Sequence, residues 1–123
     1  MFKERFKNLK VAIFGSRNLK LLDNLDAYLP PNTDEIVSGG ARGIDSYAKE
    51  YAIKNNITIT EFLPEYSRYG KCAPLKRNES IVKYSDMGIA FWDGVSKGTK
   101  YTIDLFHKEN KELKIIIIHK NTT

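Results

Sequence analysis

"DEIVSGGARGIDSYAKEYAIKNNITITEFLP" (residues 34–64) decides the architecture. Its opening, "DEIVSGG" (34–40), is a short apolar run that ends in glycines, which reads as a strand meeting a turn. "IDSYAKEYAIKNN" (44–56) then sets Ile44, Ala48, Tyr51 and Ala52 on one helical face and closes on Asn-Asn. "ITITEFLP" (57–64) alternates and is β-branched, so it reads as another strand. Strand, helix, strand in close succession is the unit that builds parallel sheets.

The same alternation extends in both directions. Upstream, "LKVAIFGSR" (9–17) is a buried strand running into a turn, and "LKLLDNLDAYL" (19–29) spaces Leu19, Leu22, Leu25 and Leu29 for a helix that "PPNT" stops. Downstream, "EYSRYGKC" (65–72) reads as a loop, and Pro74 suits the first turn of a helix through "LKRNESIVKY" (75–84). "DMGIAFWDG" (86–94) is a fourth strand, "GTKYTIDLFHKEN" (98–110) a helix, and "LKIIIIH" (113–119) a fifth strand, apolar on both faces. Strands one, four and five are continuously apolar, as expected of a parallel sheet covered on both sides. The expected fold is α/β: a Rossmann-like three-layer sandwich with a mainly parallel five-stranded sheet. Residues 9–123 are expected to form a single domain, preceded by an N-terminal extension at 1–8.

Composition bounds the function. Of 123 residues, 41% are hydrophobic and 28% charged, as in ordinary globular proteins. The lone cysteine, Cys72, permits no internal disulfide and fits a reducing, cytoplasmic setting. The longest apolar run is strand-sized, so no membrane span is expected, and the basic N-terminus lacks the apolar stretch of a secretory signal. A net charge of +5 favours anionic partners, although much of the excess is lysine near the two ends.

In an open parallel sheet, ligands bind beyond the carboxyl ends of the strands, where the strand order reverses. Three loops fall there: "FGSRN" (14–18), "SGGARGID" (38–45) and "WDGVSKGT" (92–99), and they hold six of the eight glycines. Glycine permits positive φ and lets backbone N–H groups approach a ligand. Each loop leads into a predicted helix N-terminus, which favours an anion. The candidate donors are Gly15, Ser16 and Arg17; Ser38, Gly39, Gly40, Arg42 and Gly43; and Gly94, Ser96, Lys97, Gly98 and Thr99. Asp45 and Asp93 are candidate acceptors for ribose hydroxyls or a base edge. The combination points to a nucleotide-like small molecule. Neither G-x-x-x-x-G-K-[ST] nor a G-x-G-x-x-G at the first turn occurs, which removes the basis for ATP hydrolysis or a standard NAD site. His107 and His119 lack partners at ligand spacing, so neither metal nor cofactor is expected.

"GSR" (15–17), "SGGARGID" (38–45), "GK" (70–71) followed by "RN" (77–78), and "AFWDGVSKGT" (90–99) resemble the YspA-like single-domain branch of the SLOG superfamily. That superfamily is named for the DNA-processing Smf/DprA proteins and the lonely-guy (LOG) enzymes. The resemblance covers roughly residues 9–118. It implies a nucleotide-type pocket, a role in sensing or processing nucleotide-derived ligands, and self-association as a homodimer or larger homo-oligomer. It adds Arg77 and Asn78 to the candidate site, Arg77 standing where LOG enzymes carry an arginine. Those enzymes hydrolyse nucleoside monophosphates with G-G-x-G-T-x-x-E; here Gly98 and Thr99 match, but the glutamate position is Thr102. A LOG-like N-glycosidic hydrolase would then need another acid, Asp93 or Asp45, and the catalytic candidates are Arg77 and Asp93. The Smf/DprA side implies single-stranded nucleic-acid binding as a further alternative.

Overall fold

The chain starts its sheet in the middle. In the computed structural model, which describes residues 8–19 and 24–119, β1 (Leu9–Gly15) is the central strand. The chain then steps outward on one side through β2 (Thr33–Ser38) and β3 (Thr58–Glu61). It returns to the other side of β1 for β4 (Met87–Trp92) and β5 (Glu112–Ile117). The order is β3-β2-β1-β4-β5, and every neighbouring pair is parallel. The order therefore reverses between β1 and β4, which opens a crevice at their carboxyl ends. The helices are α1 (Ile44–Lys54), the single turn α2 (Tyr66–Tyr69), α3 (Ala73–Tyr84) and α4 (Lys97–Lys108).

Alternation along the strands makes the three layers. Val11, Ile13, Ile36, Ile89 and Phe91 face one side, where Leu19, Leu25 and the α1 residues Ile44, Ala48 and Ala52 cover them. Ala12, Phe14, Val37 and Ala90 face the other, under Ile81 and Val82 of α3 and Ile103 and Phe106 of α4. The Phe14 and Phe106 rings lie parallel with centroids 5.7 Å apart. Strands β1 and β4 are buried on both faces, as their continuous apolar runs predict.

Three local expectations need correction. Residues 25–27 form a 3-10 turn, not the end of a long helix; the rest of that predicted helix, 20–23, lies outside the described residues, as does most of the 1–8 extension. Asn24 caps this turn by accepting the Asp26 N–H, and Pro30–Pro31 prevent its continuation. Leu19 and Leu25 are buried all the same. Residues 66–72 are helical, one α turn followed by a 3-10 turn, where a loop was expected. Finally, β5 is an edge strand. Ile116 and Ile118 pack on the core, but Ile115 and Ile117 stay 41% and 46% exposed.

A half-buried lysine closes the fold near the end of α3. Lys111 Nζ donates to the carbonyls of Val82, Lys83 and Ser85 at 2.7–3.0 Å. These are orphan carbonyls of a helix C-terminus, where a cation also complements the dipole. Lys111→Met keeps the apolar stem and deletes the donor. Hydrogen bonds to charged groups contribute about 1.5–3 kcal/mol, so the melting temperature is expected to fall by roughly 5–12 °C. A calorimetric scan of both proteins checks it; an unchanged melting temperature would show that the three contacts contribute nothing net.

Candidate functional site

At the carboxyl ends of β1, β2 and β4 the structure forms a cavity of about 430 Å³, within the range of small-molecule sites. Four features shape it: the three glycine-bearing loops and one face of α3. Pro74, Arg77, Asn78 and Ile81 line it from α3 at helical spacing.

The first loop is tied to β4. Ser16 N donates to the Phe91 carbonyl (3.0 Å), and the Ser16 hydroxyl accepts from Asp93 N (3.3 Å). Arg17, next in the chain, lines the cavity and is an exposed residue.

The second loop owes its path to two glycines with different reasons. At Gly43 the backbone has φ +79°, and a Cβ would stand 2.5 Å from the Arg17 carbonyl oxygen. Only glycine lets the first two loops touch there. At Gly39 the conformation is ordinary, but a Cβ would lie 2.4 Å from Arg77 Nη1. The missing side chain is the seat of the arginine. Arg77 Nη1 donates to the Gly39 carbonyl at 2.6 Å and to that of Phe62 at 3.5 Å, while Nε donates to Asn78 Oδ1 at 2.7 Å. Arg42, between the glycines, is exposed.

Asp45, in the first turn of α1, lines the cavity from a buried position and accepts the Ala41 N–H at 3.0 Å. Burial pushes its carboxyl above the usual carboxylate value, against the hydrogen bond from Ala41, the Arg77 charge, and hydrogen bonds from Gly39 and Ser38. Burial likewise pulls Arg77 below its ordinary value, opposed by the Asp45 charge.

The folded chain holds the Asp45 proton more tightly than the unfolded chain. Stability contributed by this group is therefore present below the unfolded value of 3.8 and is lost as pH rises through the higher folded value. Asp45→Asn preserves an acceptor for Ala41 N–H. It is expected to raise the melting temperature at pH 7, and that advantage should shrink to nothing below about pH 3.5. Paired melts across this range check it; a variant that is less stable at pH 7 would contradict it.

The third loop is organised by Asp93. Its carboxylate accepts from Val95 N (2.9 Å), Ser96 N (2.7 Å) and the Ser96 hydroxyl (2.7 Å). Desolvation would raise its pKa, but these hydrogen bonds, with one from the Ser16 hydroxyl, hold it at about 2. Such a carboxylate stays ionised at neutral pH and is a poor proton donor. Ser96 is the N-cap residue of α4, yet its hydroxyl is turned to Asp93 and makes no capping bond. The first N–H groups of α4 are therefore left without a side-chain cap, beside the cavity that Ser96, Gly98 and Thr99 line.

Ten of the residues singled out in the sequence thus line one cavity: Gly15, Ser16 and Arg17, Gly39 and Asp45, Arg77 and Asn78, and Ser96, Gly98 and Thr99. Ser38, Gly40, Arg42, Gly43, Asp93, Gly94 and Lys97 do not line it. Of these, Ser38 (accepting from Gly40 N at 3.2 Å), Gly43 and Asp93 shape the loops. Asn18, Pro74, Leu75 and Thr102 also line the cavity and were not among the candidates. Thr102 is buried one turn beyond Gly98 and donates its hydroxyl to the Gly98 carbonyl (3.3 Å). Asp104 is exposed on α4 and paired with Lys100 at 2.7 Å. Among the described residues no group of three His, Cys, Asp or Glu side chains is placed to hold a metal, and no helix is long and apolar enough to cross a membrane.

The family model described as DNA recombination-mediator protein A matches residues 3–111. Among solved structures, DNA processing protein A (DprA) from Streptococcus pneumoniae matches with a TM-score of 0.68 at 21% identity, over 89% of this chain and 50% of that one. The likeness to that structure is one of fold, and the chain spans about half its length. No curated protein sequence matches significantly.

Proposed function

Because the chain belongs to the DNA recombination-mediator protein A family, the Smf/DprA side of the SLOG superfamily, we propose that its cavity binds the phosphate of a nucleotide or nucleotide-derived ligand. One observation carries the reading. The amino end of α4 has no side-chain cap because Ser96 is engaged by Asp93, and its residues Ser96, Gly98 and Thr99 line the same cavity as Arg17 and Arg77. Oriented N–H groups, a helix dipole and two guanidinium groups together match a phosphate. Asp45, buried in the cavity wall, accepts hydrogen bonds from the ligand's sugar hydroxyls or base amino group. A carboxyl pushed above its ordinary value by burial beside a cavity is a common mark of a ligand-facing group.

The reading is binding, for sensing or processing, ahead of N-glycosidic hydrolysis. Thr102 stands where LOG enzymes place the glutamate, and its hydroxyl is bonded to its own helix. Asp93 is committed to its loop. Calorimetric titration with nucleoside monophosphates, NAD and ADP-ribose tests the proposal. Heats of binding to at least one of them are expected, with no release of free base on prolonged incubation; silence from all of them would refute the reading.

Single-stranded nucleic acid is the second reading, favoured by the family assignment and the net charge of +5. Its signature would be an affinity for oligonucleotides that falls steeply with salt, by about 0.7 in log K per log unit of salt for each phosphate contacted. A salt-independent affinity, or none at low salt, would exclude it.

A further inference from the structure

Residues 65–72 stand apart from the rest of the fold. They join Pro64 to α3, and every one of them is exposed. Their bonds close among themselves. Arg68 N and Tyr69 N donate to the Glu65 carbonyl (3.1 and 3.0 Å), and Gly70 N donates to that of Tyr66. Arg68 also pairs with Glu65 at 3.8 Å and lies 5.0 Å from the centre of the Tyr69 ring. A turn tied internally in this way moves as one piece.

The space beneath it is open. A second cavity, of about 340 Å³, separates Glu65, Arg68 and Tyr69 from Lys76, Ser80 and Lys83 of α3. The turn is propped over α3 and not packed into it. A segment with little apolar burial and unfilled space below it opens and closes at low cost. Gly70 supplies the hinge. It has φ +57° and ψ −133°, and a Cβ there would meet nothing within 4 Å. Glycine stands there for its backbone freedom, not for want of space.

The turn also lies beside the first cavity. It runs directly into the first turn of α3, where Pro74 and Leu75 line that cavity. Leu75 is 40% exposed at the cavity, and Tyr66 is 58% exposed. Tyr66 lines neither cavity, yet its phenol lies within electrostatic reach of the Arg77 guanidinium. A large ring left mostly in water beside the cavity's arginine gains a flat apolar partner when a base enters.

We infer that residues 65–72 are a lid that closes over the first cavity when a nucleotide fills it, hinged at Gly70, with the Tyr66 ring laid on the base. The structure is the open form. Closure brings Tyr66 beside Leu75 and covers the ligand from water, and lids of this kind govern how long a ligand stays. The inference rests on the nucleotide reading of the first cavity and adds a moving part to it.

Trypsin reads the lid directly, because Arg68 and Lys71 lie within it. Lys54 and Lys108, exposed at the ends of α1 and α4, serve as references. Calorimetry first measures adenosine 5′-monophosphate binding to the intact chain, to Tyr66→Ala and to Tyr66→Phe. Tyr66 is a surface ring, and both variants are expected to melt with the parent. Saturating monophosphate should slow cleavage of the parent after Arg68 and Lys71 by at least about tenfold, with cleavage after Lys54 and Lys108 changed by less than about twofold. Tyr66→Ala should bind roughly 5- to 150-fold more weakly, the range of one base–aromatic contact, and should lose the protection of Arg68 and Lys71 even when saturated. Tyr66→Phe, which keeps the ring, should restore both. Monophosphate binding with unchanged cleavage after Arg68 and Lys71 would overturn the lid and leave the first cavity's reading intact. So would equal slowing at all four sites, or a Tyr66→Ala protein that binds and is protected like the parent. No heat of binding from the intact chain would remove the reading of the first cavity, and the lid with it.

Discussion

Gly43→Ala is expected to destabilise the chain by about 2–6 kcal/mol, with two sources adding. The first is conformational: φ +79° with ψ −123° is territory that side-chain-bearing residues avoid, at a cost of order 1–3 kcal/mol. The second is collision. The new methyl would sit 2.5 Å from the Arg17 carbonyl oxygen, a backbone atom that cannot rotate away. Forced overpacking of that kind costs about 1–3 kcal/mol. Against a total stability of roughly 5–15 kcal/mol, the loss is severe. Gly94→Ala separates the two sources. Gly94 has φ +87°, but a Cβ there would meet nothing within 4 Å. That variant carries conformational strain alone, so it should lose no more than about 1–2 kcal/mol. Chemical denaturation of both variants decides the matter. Equal losses would mean that the contact between the first two loops is not held by Gly43.

Gly98→Leu is expected to do the opposite: abolish binding and spare the fold. Gly98 sits in the first turn of α4 at negative φ, lines the cavity, and has open space where its Cβ would go. Leucine is a good helix former, so stability should hold or rise by up to about 1 kcal/mol. Its side chain would fill the space in which a phosphate meets the N–H groups of α4. Loss of one charge-assisted hydrogen bond of about 1.5–3 kcal/mol corresponds to a weakening of roughly 10- to 150-fold. Displacing the phosphate removes several such bonds, so an affinity loss of at least about 100-fold is expected. Calorimetry with the tightest monophosphate, alongside a melting curve, measures both halves. Retained affinity in a stable Gly98→Leu protein would move the phosphate away from α4.

The βαβ unit at 34–64 was legible because two independent signals agreed: a strand period of two and a helical face of Ile44, Ala48 and Ala52. The convergence of the three glycine loops was legible only by assuming a reversal in strand order; the β3-β2-β1-β4-β5 order is a tertiary fact that no local pattern carries. The four isoleucines of 115–118 marked a strand but not its edge position, which depends on where α4 packs. At 24–29 the leucine spacing pointed to a helix, yet the Asn24 cap and the double proline confined it to a 3-10 turn.

The site divides in the same way. Glycine loops are visible as composition, so the residues that touch the cavity were mostly found. The division of labour among them was not. Asp93 looked like a ligand acceptor, and the structure uses it to turn Ser96 away from its capping position. The α3 wall was represented only by Arg77 and Asn78. Pro74 and Leu75 carry no polar signal, and their place in the cavity follows from how the helix packs beside Gly39.

The most direct measurement is a two-dimensional amide NMR titration of the isotope-labelled chain with adenosine 5′-monophosphate. The account predicts saturable shifts centred on Arg17, Gly39, Asp45, Gly98 and Thr99, with small changes at β5 and the outer face of α1. Shifts confined to other surfaces, or none at millimolar nucleotide, would contradict a phosphate site at the reversal point of the sheet.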